Sequence, residues 1–290
     1  MRFSAPQALG HGTALESVSC ASPSECLALD AQGHSYHFDG STWSGPQAIP
    51  GLAAGPGPGS ESVSCASAAL CVADPDGANQ VATWNGQAWS AAITLAGASG
   101  LEAVGCAPTA YCAAVDADGN AFAFDGQSWR RTSGDWGAVS SIACVSSTLC
   151  ISVSGGISQW NGGSWTTPQN YGVSSSLMGL SCPTASFCTA VDSAGEALQW
   201  NGSTWSAPAR VEPGQASATT IGPSLTGVSC PTTSFCVAVD NSGGILQAHD
   251  YAWPRTDADA TRQLTGVSCP TPTFCVAVDK SGDVLTGTPS

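Results

Sequence analysis

Seven times along this chain two cysteines stand with five residues between them: Cys20 with Cys26, Cys65 with Cys71, Cys106 with Cys112, Cys144 with Cys150, Cys182 with Cys188, Cys230 with Cys236, and Cys269 with Cys275. The first members follow one another at 45, 41, 38, 38, 48 and 39 residues. A period near forty is the length of one four-stranded propeller blade, and it overrides the two-domain expectation that 290 residues alone would raise. Between the cysteines lie short β-rich runs closed by Asn-Gly or Asp-Gly turns, with no helical periodicity. The sequence therefore predicts an all-β, seven-bladed β-propeller of antiparallel four-stranded blades in one domain, 1–290. Blades are expected over about 13–50, 58–95, 99–133, 137–170, 175–212, 223–255, and 262–290 plus 1–8.

The last boundary follows from the ends of the chain. After Cys275 the seventh repeat stops one strand short, at Val284 and Leu285, while Phe3-Ser4-Ala5-Pro6-Gln7 aligns with Trp43-Ser44-Gly45-Pro46-Gln47. The amino terminus is expected to supply the missing outer strand, closing a ring and removing the two exposed edges that an open array would carry.

Each C-x5-C pair flanks the turn between the first two strands of its blade, which sets the two sulfurs opposite one another. We read all fourteen cysteines as seven intra-blade disulfides, each contributing roughly 2 kcal/mol in the chain-entropy picture. Zinc thiolates would need a different spacing and more than two sulfurs per site. So many paired cysteines point to an oxidising, extracellular compartment. The start, MRFSAPQ, has no apolar stretch of a signal peptide, so export implies numbering that begins after processing.

Composition narrows the partners. With 21 acidic against 7 basic residues the net charge is −14, and Lys280 is the sole lysine. A surface that neutralises phosphates cannot be built from this, so neither nucleic acid nor membrane insertion is expected.

The turns Phe38-Asp39-Gly40-Ser41-Thr42-Trp43, Phe124-Asp125-Gly126-Gln127-Ser128-Trp129 and Trp200-Asn201-Gly202-Ser203-Thr204-Trp205 resemble shortened Asp-box turns of sialidase-type propellers. The recurring pattern SCPTxSFCxAVDxxG is similar to that of uncharacterised Cys-paired repeat proteins among secreted actinobacterial proteins. Both resemblances imply fold. Sialidase activity is not implied: it needs three converging arginines, and Arg2, Arg130, Arg131, Arg210, Arg255 and Arg262 occupy no matching repeat positions.

Candidate sites are sought among departures from the repeat, on the face formed by the variable linkers between blades. The aromatic pairs Phe38 with Trp43, Trp84 with Trp89, Phe124 with Trp129, Trp160 with Trp165 and Trp200 with Trp205 read as inter-blade filler, with sugar-stacking platforms as the alternative. Asp30, Asp74, Asp116, Asp192, Asp240 and Asp279 end the second strand of six blades and read as turn caps, with a cation-attracting field as the alternative.

Four residues before the first cysteine, blades one to three carry Glu16, Glu61 and Glu102 where the others carry Ser140, Met178, Thr226 and Thr265. These glutamates are expected at the rim of the central channel, as catalytic groups if the protein is an enzyme. His11 and His34 with Asp30 form a candidate site for a divalent cation, calcium or zinc; otherwise no cofactor is expected. His37 is expected on the same side. Arg130, Arg131, Asp135 and Trp136, with Tyr171 in the next linker, form a candidate ligand-binding set, since an aromatic plane beside Asp and Arg suits a sugar ring.

The leading expectation is an extracellular, lectin-like module that binds carbohydrate or another small ligand at the channel mouth on the linker face. One alternative is a hydrolase or lyase using the Glu/His cluster of blades one to three, with or without a metal. The other is a scaffold for a protein or a cell-wall polymer. The long linkers Pro46 to Gly59 and Glu212 to Pro223 carry little chemistry, which favours recognition over catalysis.

Overall fold

In a computed structural model, residues 1–10, 12–52, 61–74, 79–132, 134, 138–212, 223–249, 252–257 and 262–289 are described. They form strands throughout, with no helix among the described residues. Seven antiparallel sheets follow in chain order, each with its strands in the sequence a to d from the inside outward. Blade one shows the pattern: strand a Leu15–Ser22, strand b Glu25–Asp30, strand c His34–Phe38 and strand d Trp43–Ala48. Strand d of blade four is reduced to the bridges Trp160↔Trp165 and Ile157↔Gln169.

Blade seven is assembled from both ends of the chain. Its strands Leu264–Thr271, Phe274–Asp279 and Asp283–Thr288 are completed by Arg2–Phe3 and Gln7–Ala8, which pair with Asp283–Thr288. Phe3 lies opposite Gly287, in the register that Trp43 holds opposite Phe38. The closing strand expected from the sequence is thus in place.

All seven C-x5-C pairs are bridged, one in each blade, and no cysteine is free. Cys20 and Cys26 face each other across strands a and b with their Cα atoms 3.9 Å apart. The same link joins Cys65 to Cys71, Cys106 to Cys112 and Cys144 to Cys150 in blades two to four. In blades five to seven it joins Cys182 to Cys188, Cys230 to Cys236 and Cys269 to Cys275. The sulfurs of Cys71, Cys112, Cys150, Cys188 and Cys236 lie on strand b, where their residues are buried, so each bridge is anchored at the best-packed strand of its blade.

Strand b is the most buried part of each blade. Phe235–Asp240 reads Phe-Cys-Val-Ala-Val-Asp and is buried at every position, because neighbouring blades cover both faces of the sheet. A strand covered on both sides reads as a continuous apolar run rather than an alternating one. The core is correspondingly divided into seven clusters, one per seam. Leu27 and Leu29 of blade one pack on Trp84 and Trp89 of blade two. At the closing seam Val276 and Val278 of blade seven pack on Tyr36 and Phe38 of blade one.

The aromatic pairs are this filler. Trp84 and Trp89 lie 5.6 Å apart, and Trp200 and Trp205 5.8 Å apart, in tilted contact within their seams. All four rings are buried within their seams.

Candidate functional site

Strand a opens with a β-bulge. In blade one Leu15 pairs with Asp30 and Ser17 with Leu29, so Glu16 is an extra residue between them. The same irregularity falls at Glu102, Met178, Thr226 and Thr265. A bulge re-aims the side chain it carries. Here Glu16, Met178, Thr226 and Thr265, with Glu61 and Ser140 in the matching slots, line the mouth of the central channel.

That mouth is a cup of ≈ 750 Å³. Two residues deeper along strand a, about 6 Å at the rise of a strand, each blade contributes one aliphatic side chain: Val18, Val63, Val104, Ile142, Leu180, Val228 and Val267. All seven are buried and form an apolar floor.

The rim is unlike from sector to sector. Thr226 Oγ1 donates to the Leu264 carbonyl at 2.8 Å, and Thr265 Oγ1 to the Leu15 carbonyl at 2.6 Å, tying each strand a to the next blade. An ionised glutamate cannot donate such a bond, so the three glutamates of blades one to three do not repeat that role. Glu102 instead accepts the backbone N–H of Val139 at 2.7 Å. Glu61 is 6% exposed. Glu16 is half-buried and has no side-chain hydrogen bond or ion pair among the described residues. Next to this acidic arc, on the far side of Glu16 from Glu61, blade seven contributes Gln263 and Lys280, and blade six beyond it Ser224 and Asn241. Lys280 is exposed and unpaired among the described residues.

The strand-ending aspartates do not face the cup. Asp192 Oδ1 accepts the N–H groups of Ala194 at 3.0 Å and Glu196 at 2.8 Å, and Oδ2 takes the Ser175 hydroxyl at 2.5 Å. Asp116, Asp240, Asp279 and Asp30 repeat the Oδ1 grip on the residues two and four ahead. Their Oδ2 atoms go to local partners, Arg255 for Asp240 and Arg262 for Asp279. These carboxylates are turn caps, buried and occupied.

His34 Nδ1 stands 3.2 Å from Asp30 Oδ2, an oxygen that also accepts the Tyr36 hydroxyl at 2.9 Å. Burial, with the Asp30 hydrogen bond and charge, raises the Tyr36 phenol well above its ordinary range. His37 does not join them. Its Nε2 lies 3.0 Å from Glu25 Oε1, off the axis of an N–H bond, at the other end of strand b beside Trp84. His11 lies outside the described residues. Among the described residues no three His, Cys, Asp or Glu side chains converge as a metal would need.

Arg130 and Arg131 are exposed neighbours on the outermost strand Trp129–Thr132, so they point to opposite faces of it. Arg131 donates to Asn120 Oδ1, while Arg130 partly offsets the effect of burial, which raises the Tyr111 phenol. Tyr171 packs on Trp205 with ring centroids 6.5 Å apart. None of these three lines the cup, and Asp135 and Trp136 lie outside the described residues. The structure thus brings Glu16, Glu61 and Glu102 to one site and leaves Arg130, Arg131 and Tyr171 away from it. The apolar floor and the Lys280 sector escaped the sequence reading; the sole lysine was the available signal.

No protein-family model matches this chain, and no curated protein matches it. Solved structures do, at a level that shows the fold. A catalytically inactive virginiamycin B lyase from Staphylococcus aureus with quinupristin is similar at 9% identity, with TM-score 0.81 and all of both chains covered. YCF48 bound to D1 peptide is similar at 14% identity and TM-score 0.75, over 99% of this chain and 97% of that one. The structure of U3-55K is similar at 11% identity and TM-score 0.80, over 98% of each. The shared feature is the seven-bladed ring.

Proposed function

We propose that this chain is an extracellular ligand-binding β-propeller that holds a carbohydrate in the cup on its linker face. The observation that carries the reading is the break in symmetry at one slot. The slot four residues before the first cysteine carries carboxylates in three adjacent blades around a ≈ 750 Å³ cup, where the packing of the repeat calls for none. That volume is within the usual range for small-ligand sites. The wall, with Ser140, Ser224, Asn241 and Gln263, is rich in groups that both donate and accept, as sugar hydroxyls require. Fourteen bridged cysteines support the extracellular setting.

A peptide is the second reading, favoured by the peptide in the YCF48 structure; at 14% identity this is an analogy of fold. Glycan-array binding followed by calorimetry separates the two. The expected result is a glycan bound by the intact protein and bound more weakly by Glu16→Gln with Glu102→Gln. Binding of peptides with silence across the array would overturn the carbohydrate reading.

A further inference from the structure

We propose, resting on the carbohydrate reading of the cup, that the bound sugar carries both an ammonium and a carboxylate group: an amino-sugar acid rather than a neutral sugar. Three sectors of one cavity, each chemically distinct, lead to this class.

The first sector is acidic. Glu16, Glu61 and Glu102 come from adjacent blades, and Glu16 presents a carboxylate that the described protein leaves without a partner. A carboxylate held in a concave, partly desolvated mouth is stabilised by an ammonium group far more than by a hydroxyl, because a charge-assisted hydrogen bond is roughly twice as strong as a neutral one. A neutral sugar would leave that charge uncompensated.

The second sector has the opposite sign. Lys280 leaves the turn that follows strand b of blade seven, with its backbone N–H fixed on the Gln263 carbonyl at 2.9 Å. Its ammonium has no carboxylate within ion-pairing distance among the described residues, in a protein with net charge −14. Asn241 and Gln263 flank it with amide donors. This part of the rim suits an anionic group, and because blade seven adjoins blade one the ammonium and carboxylate of a ligand would sit in neighbouring sectors.

The third sector is the aliphatic floor, which offers the C–H face of a sugar ring or a short alkyl substituent an apolar bed. A simple polyamine would use the first sector alone and would be repelled by Lys280. A sugar acid without nitrogen would meet the glutamates unfavourably. A single ligand with an ammonium, a carboxylate and a ring satisfies all three.

The test is titration calorimetry on the intact, oxidised protein with four probes: muramic acid with both charges, glucosamine with the ammonium only, glucuronic acid with the carboxylate only, and neutral N-acetylglucosamine. Muramic acid should bind at least about tenfold more tightly than each of the other three. Glu16→Gln should remove its advantage over glucuronic acid, and Lys280→Met its advantage over glucosamine. Both side chains reach solvent, and an unchanged melting temperature would confirm that the variants fold. Equal binding of N-acetylglucosamine and muramic acid would overturn the inference while leaving the carbohydrate reading intact. An unchanged muramic acid affinity in Lys280→Met would also overturn it. Failure of all four probes together with every glycan on the array would overturn both.

Discussion

Ser268, in the innermost strand of blade seven, accepts the backbone N–H of Cys20 in blade one at 2.9 Å, across 248 residues of sequence. The same bond recurs from Ser19 to Cys65, Ser64 to Cys106, Ser181 to Cys230 and Ser229 to Cys269. The serine before each first cysteine thus stitches its strand a to the next blade. Gly105 and Ala143 occupy that slot in blades three and four, so two seams lack the stitch.

Ser268→Ala should cost about 1 kcal/mol, the usual net value of one hydrogen bond. Ala143→Ser should return a similar amount at its seam. Gly105→Ser should destabilise instead, because a Cβ there would stand 2.7 Å from the Ile142 carbonyl oxygen. Urea unfolding of the three variants, with unchanged slopes, gives the three signs.

Trp205 is 4% exposed and fills the seam between blades four and five. Trp205→Ala should cost roughly 3–5 kcal/mol, as for other large aromatic truncations. The same measurement applies, and a loss under about 1 kcal/mol would remove the aromatic pairs from the account of inter-blade packing.

Asp192→Ala should cost about 2 kcal/mol, since the N–H groups of Ala194 and Glu196 would lose their acceptor. Blade four already has Ser154 at this position and a shorter turn in which the Ser154 N–H reaches the Gly156 carbonyl. The aspartate is therefore needed where the longer turn is present. The backbone amides of Ala194 and Glu196 should also lose protection from hydrogen exchange in this variant.

The outer c–d turns give a pH signature. The backbone N–H of Thr42 and then the hydroxyl and N–H of Ser41 hold the Asp39 carboxyl well below the usual carboxylate range. The N–H groups of Ser128 and Gln127 lower Asp125 in the same way. A folded-state value below the unfolded one, near ~3.9, gives stability that is present above pH ~4 and is lost as pH falls through the folded value. Asn85, Asn161 and Asn201 fill the same slot with the same bonds and no titration. Asp39→Asn with Asp125→Asn should match the wild type at pH ~7 and melt with a flatter pH dependence between about pH 4 and pH 2. A steeper fall in the variant would contradict this.

The ring was legible in the sequence because a repeat states its structure seven times. C-x5-C, the strand b run, the Asn-Gly turns and the split final blade each survive local irregularity. The site was legible only where it breaks that repeat, at Glu16, Glu61 and Glu102. What aims Glu16 and Glu102 is a bulge, which has no composition of its own and follows in blade one from pairing Leu15 with Asp30 and Ser17 with Leu29. The linker residues were harder to place. Arg130 and Arg131 are adjacent in sequence, yet strand alternation sends them apart, and Tyr171 settles on Trp205 because an apolar ring lay within reach. His34 and His37 are separated likewise, one toward Asp30 and the other toward Glu25.

The most direct test of closure is removal of residues 1–8, which takes away the strands Arg2–Phe3 and Gln7–Ala8 and with them Phe3, the outer aromatic of the last seam. Thermal unfolding and size-exclusion chromatography of the truncated protein should show a melting temperature several degrees lower and association through the exposed edge of Asp283–Thr288. A truncated protein that stays monomeric and melts with the full chain would contradict the closed ring.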